Sequence, residues 1–282
     1  MKILLTGATG FIGRHVIPML LAQGHHVTAL VRNLDKACAF TWHDQVNLLK
    51  GDIHNISSIP FTSIGDQDAV MHLAWADLPN FKAPSHIQET LPANFLFLQT
   101  LIDLGTKQII VSGTCLEYGM QEGCLSETMA TQPMVAYALA KESLRKSLEE
   151  IQSQKTYTLQ WARLFYMYGE GQGPNSLLAQ LDHAIRAKNT SFNMSGGKQL
   201  RDYLQVNEVA RRLCILLEHP DCNGVVNICS GTPISIIDLV KNHLKKNSVN
   251  IALNLGFYPY PEYEPMAFWG DTRKFESKCL ND

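Results

Sequence analysis

Short apolar runs of strand length alternate with longer segments of helical period along the first part of the chain. Residues 2–6 form the first run. In residues 11–23 the side chains of Phe11, Ile12, Val16, Met19, Leu20 and Leu21 recur at helical spacing, and Gly24 is a natural stop. Runs at 27–31, 46–50, 69–73 and 108–111 predict further strands, the last leading into Ser112-Gly113-Thr114. Residues 84–104 read as mostly helical despite Pro92, a long helix is expected at about 134–154, and a sixth strand ends at Arg163-Leu164-Phe165. After residue 165 the pattern changes. A glycine-rich loop turns into a helix within 169–181, with Asn175 or Ser176 as its cap, followed by an apolar-periodic helix at 207–217 and a strand at 225–228. Aromatic residues crowd Phe257, Tyr258 and Tyr260, then Tyr263, Phe268 and Trp269.

The alternation of strands and helices predicts an α/β fold with a doubly wound parallel sheet. Its first turn carries chemistry. Gly7, Gly10 and Gly13 follow the first strand at intervals of three and open the first helix. Gly7 can adopt the backbone angles of a tight turn, Gly10 lets phosphates approach the backbone, and Gly13 lets helix and strand pack closely. The helix start adds free N–H groups and the positive end of its dipole. Together these make a pyrophosphate site, so the sheet is expected to be of Rossmann type and to bind a dinucleotide. At the end of the second strand such folds read the adenosine ribose, with an acid for NAD or a nearby arginine for the 2′-phosphate of NADP. Here Val31 is followed by Arg32 and no carboxylate, which predicts NADP as the preferred cofactor over NAD.

Composition narrows the remaining choices. A chain of 282 residues with 45% hydrophobic content can bury a full core. A net charge of −2 carries no footprint for nucleic acid or a membrane surface. The seven cysteines form no C-x-x-C pair and are odd in number, which predicts free thiols in a reducing cytoplasm. No signal peptide or bilayer-spanning stretch is visible.

The catalytic candidates lie on the long helix. Tyr137 and Lys141, at i and i+4, share one helix face. A free tyrosine titrates near ~10, and a neighbouring ammonium favours the phenolate. The pair can then move a proton at a carbonyl or alcohol centre. Thr114, delivered by the fifth strand, can bond the same substrate oxygen. This chemistry needs no metal ion.

The segment TGATGFIG, with Tyr137-x-x-x-Lys141 and SGTCLEYG at 112–119, resembles the extended short-chain dehydrogenase/reductase family, which includes nucleotide-sugar epimerases, dehydratases and ketoreductases. The resemblance covers nearly the whole chain. It implies that Thr114, Tyr137 and Lys141 are catalytic, with Lys141 also bonding the nicotinamide ribose. It implies cofactor contacts from Gly7, Gly10, Phe11, Ile12 and Gly13, from Asp52 and Ile53 near the adenine, from Leu73, Ala74 and Trp75 in the run HLAWA, and from Asn94 and Phe165. His72, in the same run, is expected to be a buried, hydrogen-bonded residue. Substrate contacts are expected from Thr114, Tyr166, Ser176, Glu264 and Arg201, the last toward a diphosphate. Residues 1–165, with returning segments at about 199–228, are expected to form the dinucleotide domain, and 166–198 with 229–282 a smaller C-terminal substrate-binding lobe. A homodimer through a helix bundle is raised by the resemblance and decided by no sequence feature.

Departures from the family pattern sharpen the expected reaction. The dehydratases follow the catalytic threonine with Asp-Glu, whereas this chain has Cys115 and Leu116. Trp75 replaces a small residue, and Tyr166 an asparagine. The second diphosphate arginine of the 4-epimerases has no counterpart in PYPEYEPMAFW, and the chain is expected to lack the closing helix after Asp271. The expected activity is NAD(P)-dependent reduction of a nucleotide-linked 4-keto-6-deoxysugar. The alternatives are a nucleotide-sugar 4-epimerase with bound NAD and a non-catalytic dinucleotide-sensing or partner-binding module.

Overall fold

A computed structural model describes residues 1–280. In chain order its strands are β1 (Lys2–Thr6), β2 (His26–Val31), β3 (Asn47–Lys50), β4 (Ala69–His72), β5 (Gln108–Thr114), β6 (Gly123–Leu125), β7 (Thr158–Leu164), β8 (Tyr166–Tyr168), β9 (Ser191–Asn193), β10 (Leu200–Gln205), β11 (Gly224–Ile228), β12 (Pro233–Ser235), β13 (Ala252–Asn254) and β14 (Phe268–Gly270). The helices are α1 (Gly13–Ala22), α2 (Leu34–Cys38), α3 (Phe61–Ile64), α4 (Leu91–Asp103), α5 (Ala136–Gln152), α6 (Leu177–Arg186), α7 (Val206–Glu218), α8 (Ile236–Lys246) and α9 (Arg273–Cys279).

Seven strands form one parallel sheet in the order β11-β7-β5-β4-β1-β2-β3. The chain winds outward from β1 through β2 to β3, then crosses back to β4 and continues the other way. Strands β1 and β4 therefore flank a topological switch point, where a crevice opens at their carboxyl ends. The sheet is apolar on both faces because both are covered. On one side Val16, Ile17 and Leu20 of α1 meet Val209, Leu213 and Leu217 of α7 and Phe275 of α9. On the other, Phe97, Leu98 and Leu101 of α4 pack with Leu144 and Leu148 of α5. A separate apolar cluster joins α6 and α8 through Leu178, Leu181, Leu239, Val240 and Leu244, with Phe192 and Met194 beside them.

Some elements differ from the sequence reading. The helix expected at 84–104 is two pieces: a wide π turn at His86–Thr90 runs into α4, and Pro92 stands in the first turn of α4, where its missing N–H costs no helical bond. The chain does carry a helix after Asp271. Helix α9 is short, but Phe275 and Cys279, one turn apart, are both buried and dock it onto the sheet's core. The strands of three residues, such as β6, β8 and β14, are too short to show a period in the sequence. No disulfide joins any of the seven cysteines. Among the described residues no helix is long and apolar enough to cross a membrane.

Candidate active site

Strand β1 ends at a turn closed by Gly10 N–H donating to the Gly7 carbonyl at 2.9 Å. Gly7 has φ +75°, and a Cβ there would stand 2.8 Å from backbone atoms of Leu73 and Ala74. A Cβ on Gly13 would stand 2.2 Å from the Gly7 carbonyl oxygen. Both positions thus exclude any larger residue, one by conformation and contact, the other by contact. Helix α1 begins directly after the turn with no side chain capping it, leaving its first N–H groups to an anion. This turn, with the open space in front of it, fits the pyrophosphate of a dinucleotide.

The space is a cavity of about 440 Å³ running along the carboxyl ends of the central strands. Gly7, Gly10, Phe11, Ile12, Gly13, Arg32, Asp52, Ile53, Leu73, Ala74, Trp75, Asn94 and Phe165 all line it, together with Thr114, Tyr137, Lys141 and Tyr166. Ser176, Arg201 and Glu264 do not. Ser176 begins α6 without a side-chain capping bond, and its Oγ donates to the Gly173 carbonyl at 2.8 Å. The buried Arg201 is paired with the partly buried Glu264, at Nη2–Oε2 2.9 Å.

At one end of the cavity β2 finishes at Val31, and the exposed Arg32 is the next residue. Lys36 of α2 lines the same end and went unnoticed in the sequence. The Asn33 side chain accepts from Lys36 N–H at 2.9 Å, which starts α2 and sets the lysine one turn from Arg32. No carboxylate stands directly after β2, and Asp35 of α2 is not part of the cavity lining. Asp52 lies across the cavity, its Oδ1 accepting from His54 N–H at 3.1 Å.

In the middle of the cavity Thr114 ends β5 and Tyr137 opens α5. Tyr137 N–H donates to the Phe81 carbonyl at 3.0 Å, fixing the start of the helix. The Thr114 side chain stands beside the Tyr137 phenol. Burial pushes the Tyr137 phenol up from its ordinary value, the Glu117 carboxylate adds to this, and the Thr114 side chain opposes it. Lys141 donates to the Ser112 carbonyl at 2.6 Å and is pulled down to about 7 by burial, with Glu117 opposing. The expected lowering of the tyrosine by the lysine is therefore not what the unliganded site shows. Both groups are desolvated, so each favours its neutral form. Tyr137 is a proton donor in this state rather than a phenolate.

His72 is sealed under this site. Thr6 Oγ accepts from Ala74 N–H at 3.2 Å, so its hydroxyl proton points to His72 Nδ1 at 3.0 Å. The imidazole proton is then on Nε2, donated to Asn94 Oδ1 at 2.7 Å. Burial and then the Lys141 charge depress His72 to about 3, against the Asn94 bond. It is a neutral structural residue, and Asn94 is half of its support.

Glu117 is a residue the sequence reading left without a role. It is fully buried; Oε1 accepts Thr114 N–H at 2.7 Å and Oε2 accepts Arg163 Nε at 2.7 Å, with Trp161 Nε1 at 3.1 Å. The Thr114 hydroxyl in turn accepts from Leu116 N–H at 3.3 Å. This reciprocal box holds Thr114 at the end of the sheet. Its signal was present as Thr-x-x-Glu in TCLE. Cys115 and Leu116 line the cavity beside it, and burial pushes the Cys115 thiol well above its ordinary value. Neither can act as an acid–base pair.

At the far end Tyr166 donates its hydroxyl to Glu264 Oε1. Arg201 is held by Glu264, by the Leu200 carbonyl at 2.9 Å and over the Phe268 ring at 4.5 Å. Asp202 next to it accepts Ser230 N–H at 2.6 Å and Gly231 N–H at 2.8 Å, tying the loop after β11 to β10. Of the aromatic run, Phe257 and Tyr258 are exposed and lie outside the cavity.

Comparison with known proteins agrees with this geometry. A dTDP-6-deoxy-L-talose 4-dehydrogenase (NAD(+)) of Aggregatibacter actinomycetemcomitans is 28% identical over 272 residues, covering 96% of this chain and 99% of that protein. Among solved structures, the UDP-glucuronic acid 4-epimerase of Bacillus cereus in complex with UDP-glucuronic acid and NAD superposes with a TM-score of 0.85 at 24% identity, covering 100% of this chain and 94% of that one. A UDP-glucose-4-epimerase of Stenotrophomonas maltophila with bound NAD and formylated UDP-arabinopyranose gives 0.88 at 18% identity, covering 99% and 92%. The family model of the NAD dependent epimerase/dehydratase family matches residues 3–229, spanning both the glycine turn and the Tyr137–Lys141 pair, and this chain is an enzyme of that family, of the extended short-chain dehydrogenase/reductase type.

Proposed function

We propose that this enzyme reduces a nucleotide-linked 4-keto-6-deoxysugar, with Tyr137 as the proton donor. The observation that carries the reading is that Tyr137, kept protonated by burial, lines one cavity with Thr114, Lys141 and the glycine turn. A bound dihydronicotinamide supplies a hydride. Thr114 orients the substrate carbonyl oxygen, Tyr137 transfers its proton to that oxygen as C4 becomes a secondary alcohol, and the phenol is recharged from solvent. Lys141 bonds the nicotinamide ribose and stabilises the transient phenolate. Residues Gly7, Gly10, Phe11, Ile12 and Gly13 hold the pyrophosphate, with Asp52 and Ile53 toward the adenine and Leu73, Ala74, Asn94 and Phe165 along the rest of the dinucleotide.

The similarity to a 6-deoxy-L-talose 4-dehydrogenase supports this substrate class, because that oxidation is the reverse of a 4-keto reduction at the same centre. Cys115 and Leu116 disfavour water elimination. For the cofactor we propose NADP(H), although the relative is named for NAD(+). Two cations, Arg32 and Lys36, face the adenosine end, and no acid stands directly at the end of β2 to accept the 2′-hydroxyl. The segments 166–198 and 229–282, apart from α9, which docks on the sheet, are proposed as the substrate lobe, with Tyr166, Ser176 and Glu264 on them and Arg201 beside them on β10.

The test is to incubate the enzyme with a dTDP-4-keto-6-deoxysugar and NADPH or NADH while following absorbance and product. Stoichiometric oxidation with a 4-hydroxy product supports the reading. Interconversion of two 4-hydroxy epimers without added cofactor, by protein carrying bound NAD, establishes the epimerase instead. Tight dinucleotide binding with no turnover of any nucleotide sugar points to a sensing module.

A further inference from the structure

The bulky Trp75 stands where Lys141 needs help. Lys141 Nζ lies 4.0 Å from the centre of the Trp75 ring, on its face, while donating to the Ser112 carbonyl. The indole is itself locked. Its N–H donates to His86 Nδ1 at 3.1 Å, so the imidazole proton sits on Nε2, 3.2 Å from the Asn80 carbonyl. His86 is completely buried in the π turn before α4. Both rings also meet Tyr137, Trp75 edge-on at 5.9 Å and His86 at 5.5 Å between centroids. One buried histidine thus sets the plane of an indole whose face meets the lysine and whose ring meets the tyrosine.

We infer that Trp75, held by His86, is a positioning residue that keeps the Lys141 ammonium charged and aimed into the cofactor cavity. This rests on the proposed role of Lys141 at the nicotinamide ribose. Burial alone would strip the proton from Lys141 close to neutral pH. The ionisable groups that face it are Glu117 from the turn after β5 and the neutral His72 from β4, with Tyr137 on its own helix and His86, neutral as the acceptor of the indole N–H, behind Trp75. Only the Glu117 charge favours the ammonium, and Glu117 is already paired with Arg163. The negative face of an indole provides a second source of stabilisation that needs no ionisable group.

The experiment measures dinucleotide affinity against pH by calorimetry, for wild type, Trp75→Phe, Trp75→Leu and His86→Leu. Binding should weaken as Lys141 loses its proton. In Trp75→Leu that midpoint should move down by about one pH unit, the shift equivalent to a desolvated cation–π contact. Trp75→Phe, which keeps an aromatic face, should restore most of it. His86→Leu, which leaves the indole in place but unanchored, should shift it in the same direction and reads the effect if Trp75→Leu does not fold. Midpoints unchanged in every folded variant, with only thermal stability lowered, would overturn the inference and leave Trp75 as packing. Because the readout is binding, failure of 4-keto reduction in the turnover assay leaves this test intact.

Discussion

The buried Arg201 and the partly buried Glu264 face each other as an ion pair at 2.9 Å, and the second carboxylate oxygen of Glu264 takes the Tyr166 hydroxyl. The arginine expected to meet a substrate diphosphate is thus already neutralised by the chain itself. Tyr166 lines the cavity while the pair lies behind it, so a diphosphate must displace Glu264 or bind without Arg201. In Glu264→Ala the buried guanidinium loses its partner, which should cost about 3–5 kcal/mol of stability. If Arg201 meets the diphosphate, dTDP or UDP should raise the melting temperature of Glu264→Ala more than that of wild type. An equal rise in both proteins would place the diphosphate elsewhere.

Arg32 and Lys36 offer two cations to one phosphate. Each of Arg32→Ala and Lys36→Ala should weaken NADPH binding while leaving NADH nearly unchanged, with the arginine contact contributing on the order of 1.5–3 kcal/mol. Titration calorimetry with both cofactors reads this directly. Wild type preferring NADH, or variants losing both cofactors alike, would reverse the assignment to NADP.

Tyr137→Phe keeps the ring contacts with Trp75 and His86 and removes only the hydroxyl beside Thr114. Folding and dinucleotide binding should persist, and turnover should fall roughly 10²–10⁴-fold. A variant with near-normal turnover and an unchanged pH profile would show that another group carries the proton.

Lys141 also predicts how the unliganded enzyme responds to pH. Its folded value of about 7 lies below the ordinary 10.5, so between these limits the unfolded chain binds more protons. Stability should therefore rise with pH from about 7 upward as the buried ammonium discharges. Several tyrosines, Tyr137 and Tyr203 among them, are pushed up by desolvation and will oppose the trend as the pH nears their unfolded values. Urea unfolding between pH 7 and 9, comparing wild type with Lys141→Met, should show the slope in wild type and its loss in the variant. Parallel curves would mean that Lys141 titrates normally in the fold.

The sequence by itself determined the parallel sheet, the glycine turn and the Tyr137–Lys141 pair, because each is encoded in local spacing. A strand period, three glycines three apart and an i, i+4 step are geometric statements that survive whatever packs around them. Even the Thr114–Glu117 box was local enough to read. What only the tertiary structure decided involves partners far apart in the chain or burial that no spacing reports. The Arg201–Glu264 pair joins β10 to a segment sixty-three residues later. The His86–Trp75–Lys141 stack joins a π turn, the end of β4 and α5. The protonation of Tyr137 follows from desolvation, which the spacing of a tyrosine and a lysine does not contain. Residue type and interval state which groups can meet, whereas packing decides which charges are screened, paired or stripped of water, and those determine the chemistry.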